Sequence, residues 1–297
     1  MDLDHDSRAL QDSAEEVASP KIMYEMSPEA SRYFQGDAEP ATSSVLISDS
    51  KYLNDPFYRE AWALFALRRN GHDLPSTYVI PIAAKALAAV TDFTEFARLV
   101  DAEKAINEEF AAWLAKRRYT EWRCSDLEGG TPGTLGHMLW EFLEPSAGMA
   151  IELQGAGVEI ANDLDFIAKR RAATHDIEHM VTGFGLSAAG EVGVNYVDIT
   201  APARYFSPDL AQQMTAGQQM LTTAYLQQVS LHYHAAYATV LEAVQLGIQM
   251  GTALKRPLLM ESWEDYLDWQ LDDIRTHLGI VPGPGAAWDW TNAATEG

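Results

Sequence analysis

Four side chains in one short stretch have the types and spacing to hold a metal ion. His175 and His179 are four residues apart in a segment with helical character. That spacing puts both imidazoles on one helix face, about 6 Å apart along the axis. Two imidazoles so placed can chelate one cation, as paired histidines do on zinc-binding helices. Asp176 lies on the neighbouring edge of that face, where it can complete the ligand set or fix a histidine tautomer from behind. The helix should stop near Gly183, Phe184 and Gly185, and a second helical stretch should begin after Gly190 with Glu191 near its start. A helix–turn–helix corner of this length carries Glu191 back towards the two histidines. Two nitrogens and up to two carboxylates suit Zn(II), Fe(II) or Mn(II) and leave coordination positions for water or substrate.

Other residues compete for a role. His175 and Glu178-His179 also spell the inverted zinc-peptidase pattern, in which Glu178 would be the general base. No partner motif lies downstream, which weighs against that reading. Arg170 and Arg171 precede the histidines and could bind a carboxylate or phosphate. The plainer expectation for both is a solvated or ion-paired surface position. His232 and His234 diverge on a helix, and His137 reads as a core histidine. The acids Glu261, Glu264, Asp265, Asp268, Asp272 and Asp273 read as a solvated helix face. Cys124 is the only cysteine, so an intrachain disulfide and a cysteine-rich zinc site are both excluded.

The elements that must position these residues are helical. Asn54 or Asp55 with Pro56 can open a helix carrying Phe57, Ala61, Leu64 and Phe65. Further helices are expected over 80–90, 92–118, 134–143, 160–182, from Ser207-Pro208 to about Gln228, and over 230–253. A last one should follow a capping box at Ser262–Asp265 and end before Gly279. Strand-like alternation is lacking, so the fold class expected is all-α, a bundle of about seven to nine helices. Apolar residues make up 47% of the 297, enough for a sizeable core. The net charge of -22 argues against nucleic acid and against electrostatic docking on anionic lipid. The acidic opening, residues 1–50, has neither a secretory signal nor a basic presequence. The apolar run from Tyr78 to Val90 is interrupted by Pro81 and Lys85 and is too short to cross a bilayer. A cytoplasmic protein is therefore expected, touching the inner membrane at most peripherally.

The pattern His175-Asp176, His179 and then Glu191 resembles the signature of the Coq4 family of ubiquinone biosynthesis. Two flanking blocks agree. Gly133, Thr134, Leu135 and Gly136, followed by 137–143, is similar to that family's small-residue segment before an aromatic helix. Lys255, Arg256, Pro257 and Leu258, then Trp263, Tyr266, Leu267 and 275–280, resembles its ending. The resemblance spans roughly 55–280. The arm and the stretch from Ala147 to Asp163 depart from the family pattern, as in a divergent bacterial paralogue with altered substrate. The resemblance implies a helical domain over 51–281 flanked by an arm, 1–50, and a tail, 282–297. It implies one divalent metal ion, zinc or alternatively iron or manganese, on His175, Asp176, His179 and Glu191. It further implies a polyprenylated 4-hydroxybenzoate-type substrate that loses its C1 carboxyl group and is hydroxylated there, a lyase-type activity. A scaffold that binds the isoprenoid intermediate and organises the other biosynthetic enzymes is the alternative. A homodimer is expected. The prenyl tail needs an apolar wall, for which Met214, Met220, Met250 and Met260 are candidates; Gly247 and Gly251 can let two helices approach closely.

Overall fold

The computed structural model describes residues 49–70, 79–143 and 159–295. The arm expected over 1–50 lies outside these but for its last two residues. The described residues form thirteen α-helices and no strand: α1 Lys51–Asn54, α2 Pro56–Leu67, α3 Val79–Val90, α4 Phe93–Ile106, α5 Glu108–Lys116, α6 Cys124–Leu127, α7 Leu135–Leu143, α8 Asp163–Thr182, α9 Ala188–Tyr205, α10 Pro208–His232, α11 Tyr237–Ala253, α12 Leu271–Leu278 and α13 Trp290–Thr295. The all-helical class is as the sequence implies.

Local chemistry sets the boundaries. Asp55 caps α2, its carboxylate accepting from the Tyr58 amide at 2.7 Å with Pro56 in the first turn. The helix expected over 92–118 is two. Asn107 ends α4 by donating its amide to Glu103 and begins α5 by accepting from the Phe110 amide. The backbone amide of Asn107 closes the last turn of α4 and its side chain caps the first turn of α5, a pairing that competes successfully with the continuous helix. Ser207 opens α10 without a side-chain cap bond; the buried Glu103 of α4 accepts from its amide instead. Ser262 makes no side-chain cap bond either. It leads into a single 3-10 turn, Trp263–Asp265, so the last long helix expected there starts only at Leu271.

Three apolar clusters hold the domain together. The largest joins α7, the second half of α8, α9, α11, α12 and Trp288. A second joins α4, α5, the first half of α8 and the start of α10, and a third joins α2 and α3 to Met220 and Ala224 of α10. The tightest helix pairing is α9 on α11. A β-carbon on Gly247 would lie 2.4 Å from the Gly193 carbonyl oxygen, so this approach requires glycine. The four methionines nominated as a tail-binding wall are split among all three clusters, so they do not line one channel. Each fills a gap in ordinary packing.

The two outer motif blocks meet. The Leu135 amide donates to the Trp269 carbonyl, the Gly136 amide to Leu267, and the Leu271 amide to Gly133. Past 281 the chain stays with the domain instead of trailing as a tail. Trp288, Thr291 and Thr295 are buried, and Trp288 stacks on Phe184.

Candidate metal centre

The α8–α9 corner brings three of the four expected residues together. His175 Nε2 lies 3.2 Å from His179 Nε2 and 3.3 Å from Glu191 Oε2, and His179 Nε2 lies 3.3 Å from Glu191 Oε1. The separation of the two imidazole nitrogens is close to the edge of a tetrahedral shell, about 3.3 Å for metal–ligand bonds of about 2.0–2.1 Å, and each nitrogen has its own carboxylate oxygen of Glu191 at a similar distance. Asp176 sits beside the group, but its carboxylate does not join it. Burial raises its pKa, against the opposing charges of His175 and His179.

Backbone geometry fixes the corner. Gly183 caps α8 in the left-handed region, and Ser187 caps α9 by accepting from the Gly190 amide. The carbonyl of Gly185 then turns back and accepts from His179 Nδ1 at 2.6 Å. A carbonyl can only accept, so Nδ1 carries the hydrogen and Nε2 presents its lone pair to the cluster. This is the orientation that a metal-ligating histidine requires.

The electrostatics match that donor set. Burial disfavours a charge on His175, yet the hydrogen bond and charge of Glu191, with Glu178 and Asp198 behind, raise its pKa to about 9. Burial likewise opposes ionisation of Glu191, but bonds from His175 and then His179 hold it well below the usual carboxylate range. The cluster is short of positive charge and demands a cation, as a proton or as a metal. His179 is buried, whereas the side chains of His175 and Glu191 are 31% and 47% exposed. The group therefore opens to solvent on one side.

A second layer stands behind His175. Glu178 and Asp198 are both buried and approach His175 closely enough to form a further three-residue group. Glu178 accepts from the Thr174 hydroxyl at 2.9 Å. Burial and then the Asp198 charge push its pKa up. Glu178 faces Asp198 and Thr174, away from His179 and Glu191, which removes the support for a peptidase-type general base. Asp198 is not among the residues that spacing singles out. Its signal was a buried-helix acid, seven residues after Glu191 and thus two turns on along the same face of α9.

The remaining candidates divide. His137 pairs with Glu141 and His232 meets the Leu67 carbonyl; neither joins the centre. Arg170 is not a surface residue. It is buried, ion-paired with Glu264 at 2.6 Å, and donates to the Glu261 carbonyl at 2.6 Å. Glu261 is buried too, in a bidentate pair with Arg256, so the acid run is no solvated face at these two positions. The chain there makes tight turns, which point Glu261 and Glu264 inward.

Among the described residues, then, an all-helical fold carries a His–His–Glu group at a helix corner that opens to solvent on one side. The profile described as coenzyme Q (ubiquinone) biosynthesis protein Coq4 matches residues 116–284, more than half of the chain, and the chain belongs to that family. The matched span starts later than the 55 suggested by the motif blocks and includes all three of them. A crystal structure from Nostoc punctiforme, of a protein provisionally described as a ubiquinone biosynthesis protein, has a similar fold. Its TM-score is 0.54 at 20% identity, covering 74% of this chain and 95% of that one. Curated proteins gave no match. The protein's role lies in ubiquinone biosynthesis, among quinone precursors and the enzymes that process them.

Proposed function

We propose that the protein holds one divalent cation on His175, His179 and Glu191, with Asp176 beside them, and uses it on a polyprenylated 4-hydroxybenzoate-type intermediate. The reaction is loss of the C1 carboxyl group as carbon dioxide with a hydroxyl group installed at that carbon. Written out, the acid, one dioxygen, two electrons and two protons give the phenol, carbon dioxide and one water. The two electrons come from an external reductant, and this balance favours iron or manganese over redox-inert zinc. A bound cation supplies Lewis acidity and a template for an oxygen ligand. The protein's own part is orientation. Gly185 locks the His179 tautomer, His175 and Glu191 stand at the solvent side where a ring can enter, and the Glu178–Asp198 pair holds negative charge behind His175.

One observation carries the reading: the two histidine Nε2 atoms lie 3.2 Å apart and each meets a carboxylate oxygen of Glu191 at 3.3 Å, with His179 tautomer-locked by a backbone carbonyl. The scaffold alternative calls for a closed, four-ligand structural site. Three converging donors with two exposed side chains favour an open one. The test is the metal content of purified wild type and His179→Ala, together with mass spectrometry of quinone intermediates in a deletion strain carrying either gene. The variant should lose most of its metal and accumulate the carboxylated precursor. Wild-type metal and wild-type quinone in that strain would refute the proposal. We include in it a homodimer and, at most, peripheral membrane contact. Among the described residues no helix is long and apolar enough to cross a membrane, and light scattering of the purified protein measures the dimer directly.

A further inference from the structure

We propose that Arg171 is the residue that receives the substrate's carboxylate. Both terminal nitrogens of its guanidinium, Nη1 and Nη2, are buried and have no hydrogen-bond partner among the described residues. A buried unpaired guanidinium is among the least favourable arrangements a protein can keep, and buried polar groups are almost always satisfied. Scarcity of acids is not the reason. The chain has 43 Asp and Glu against 21 Lys and Arg, and the adjacent Arg170 is fully engaged by Glu264 and two carbonyls. Arg170 therefore ties α8 to the segment after α11, while Arg171 is left for something that is not part of the fold.

Position says what that is. Arg171, His175 and His179 stand at i, i+4 and i+8 on α8, so they form one row along a single helix face. Arg171 thus stands one helical turn before His175 on α8, in a chain whose overall charge would otherwise repel an anion. Its planar fork matches a carboxylate in bidentate fashion. The choice of a ring carboxylate as the anion rests on the substrate class proposed above; the orphaned cation beside the centre does not.

The test compares 3-geranyl-4-hydroxybenzoate with its carboxamide, by calorimetry on full-length protein treated with a chelator. Wild type should prefer the acid by about 10- to 100-fold, the scale of a charge-assisted bond. Arg171→Gln should bind acid and amide equally, and Arg171→Lys should keep part of the preference. The thermal midpoint of Arg171→Gln should match or exceed the wild type, because an uncompensated charge has been removed. Overturning results are an acid preference retained in Arg171→Gln, no acid preference in wild type, or a midpoint lowered by roughly 5 °C or more, which marks an internal ion pair. Arg171→Gln should retain wild-type metal content. Loss of the metal reading through His179→Ala therefore leaves this test standing, and the reverse holds too.

Discussion

A single methyl group at Gly190 should loosen the metal centre from a distance. Gly190 lies in the first turn of α9, and a β-carbon there would come 2.4 Å from the Gly185 carbonyl oxygen and 2.5 Å from that of Phe184. Ordinary contact begins about 1 Å further out, so in Gly190→Ala the corner must retreat by about that much. The Gly185 carbonyl is the group that orients His179, at 2.6 Å from Nδ1. A retreat of about 1 Å along that line takes the bond beyond hydrogen-bonding range. Losing such an outer partner typically lowers metal affinity about 10- to 100-fold. Overpacking costs about 1–3 kcal/mol, offset by up to about 1 kcal/mol from replacing a helical glycine. The net loss should lower the thermal midpoint by several degrees. The assay is chelator competition for Fe(II) or Zn(II) alongside thermal melts. Gly217→Ala is the control, because there the nearest atom outside its own helix backbone is 3.6 Å away and only the helix gain remains. If Gly190→Ala bound metal as tightly as wild type with an unchanged melt, the link from corner to centre would be wrong.

Two further expectations follow from the same structure. A cation that binds only the folded protein should stabilise it by about 2.7 kcal/mol at a free concentration 100 times its dissociation constant. Differential scanning calorimetry should then show a chelator-induced fall of roughly 5–10 °C, and His179→Ala should show no such response. At the start of α8, burial raises the pKa of Asp163, but bonds from Lys104 and Arg117 outweigh it and lower the pKa overall. A depressed folded pKa contributes stability above the unfolded value and loses it as pH falls through the folded one. Asp163→Asn should therefore cost about 1 kcal/mol at neutral pH, including the helix-dipole contribution, and the difference should vanish in acid. Urea titrations at pH 7 and below pH 3 would reveal a pH-independent gap if the pairs do not matter.

How much of this was legible in the residues depended on whether the signal was local. The α2 start at Asp55-Pro56 and the α12 end at Gly279 were readable because caps act over one turn. The break at Asn107 is hidden because an apolar stripe continues through it, and the stripe does not record that its side chain caps α5. The burial of Glu261 and Glu264 was invisible because their partners, Arg256 and Arg170, are fixed by turns whose course the pattern does not encode. At the centre, His175, His179 and Glu191 followed from spacing and a glycine bend. Asp198 did not, since its role depends on the crossing of α8 and α9. The methionine wall failed for a similar reason: Met214 and Met220 on α10, Met250 on α11 and Met260 in a 3-10 turn would meet only if they shared one core.

The helix that carries the histidines is the least amphipathic-looking of the long helices, and its polar residues explain why. Asp163 at its start anchors it to α4 and the end of α5. Arg170, two turns on, grips the segment 259–264. At its end, Arg275 of α12 donates to the Met180 and Val181 carbonyls and satisfies the last turn. Three polar attachments, at its start, its middle and its end, hold α8 in one rotation and one register. A rotation of even a fraction of a turn would swing the row of Arg171, His175 and His179 away from Glu191. Apolar packing alone tolerates such slippage, because hydrophobic contact is non-directional. Directional bonds do not, and positions that look like lost opportunities for core packing are what keep the two imidazoles against the carboxylate of Glu191.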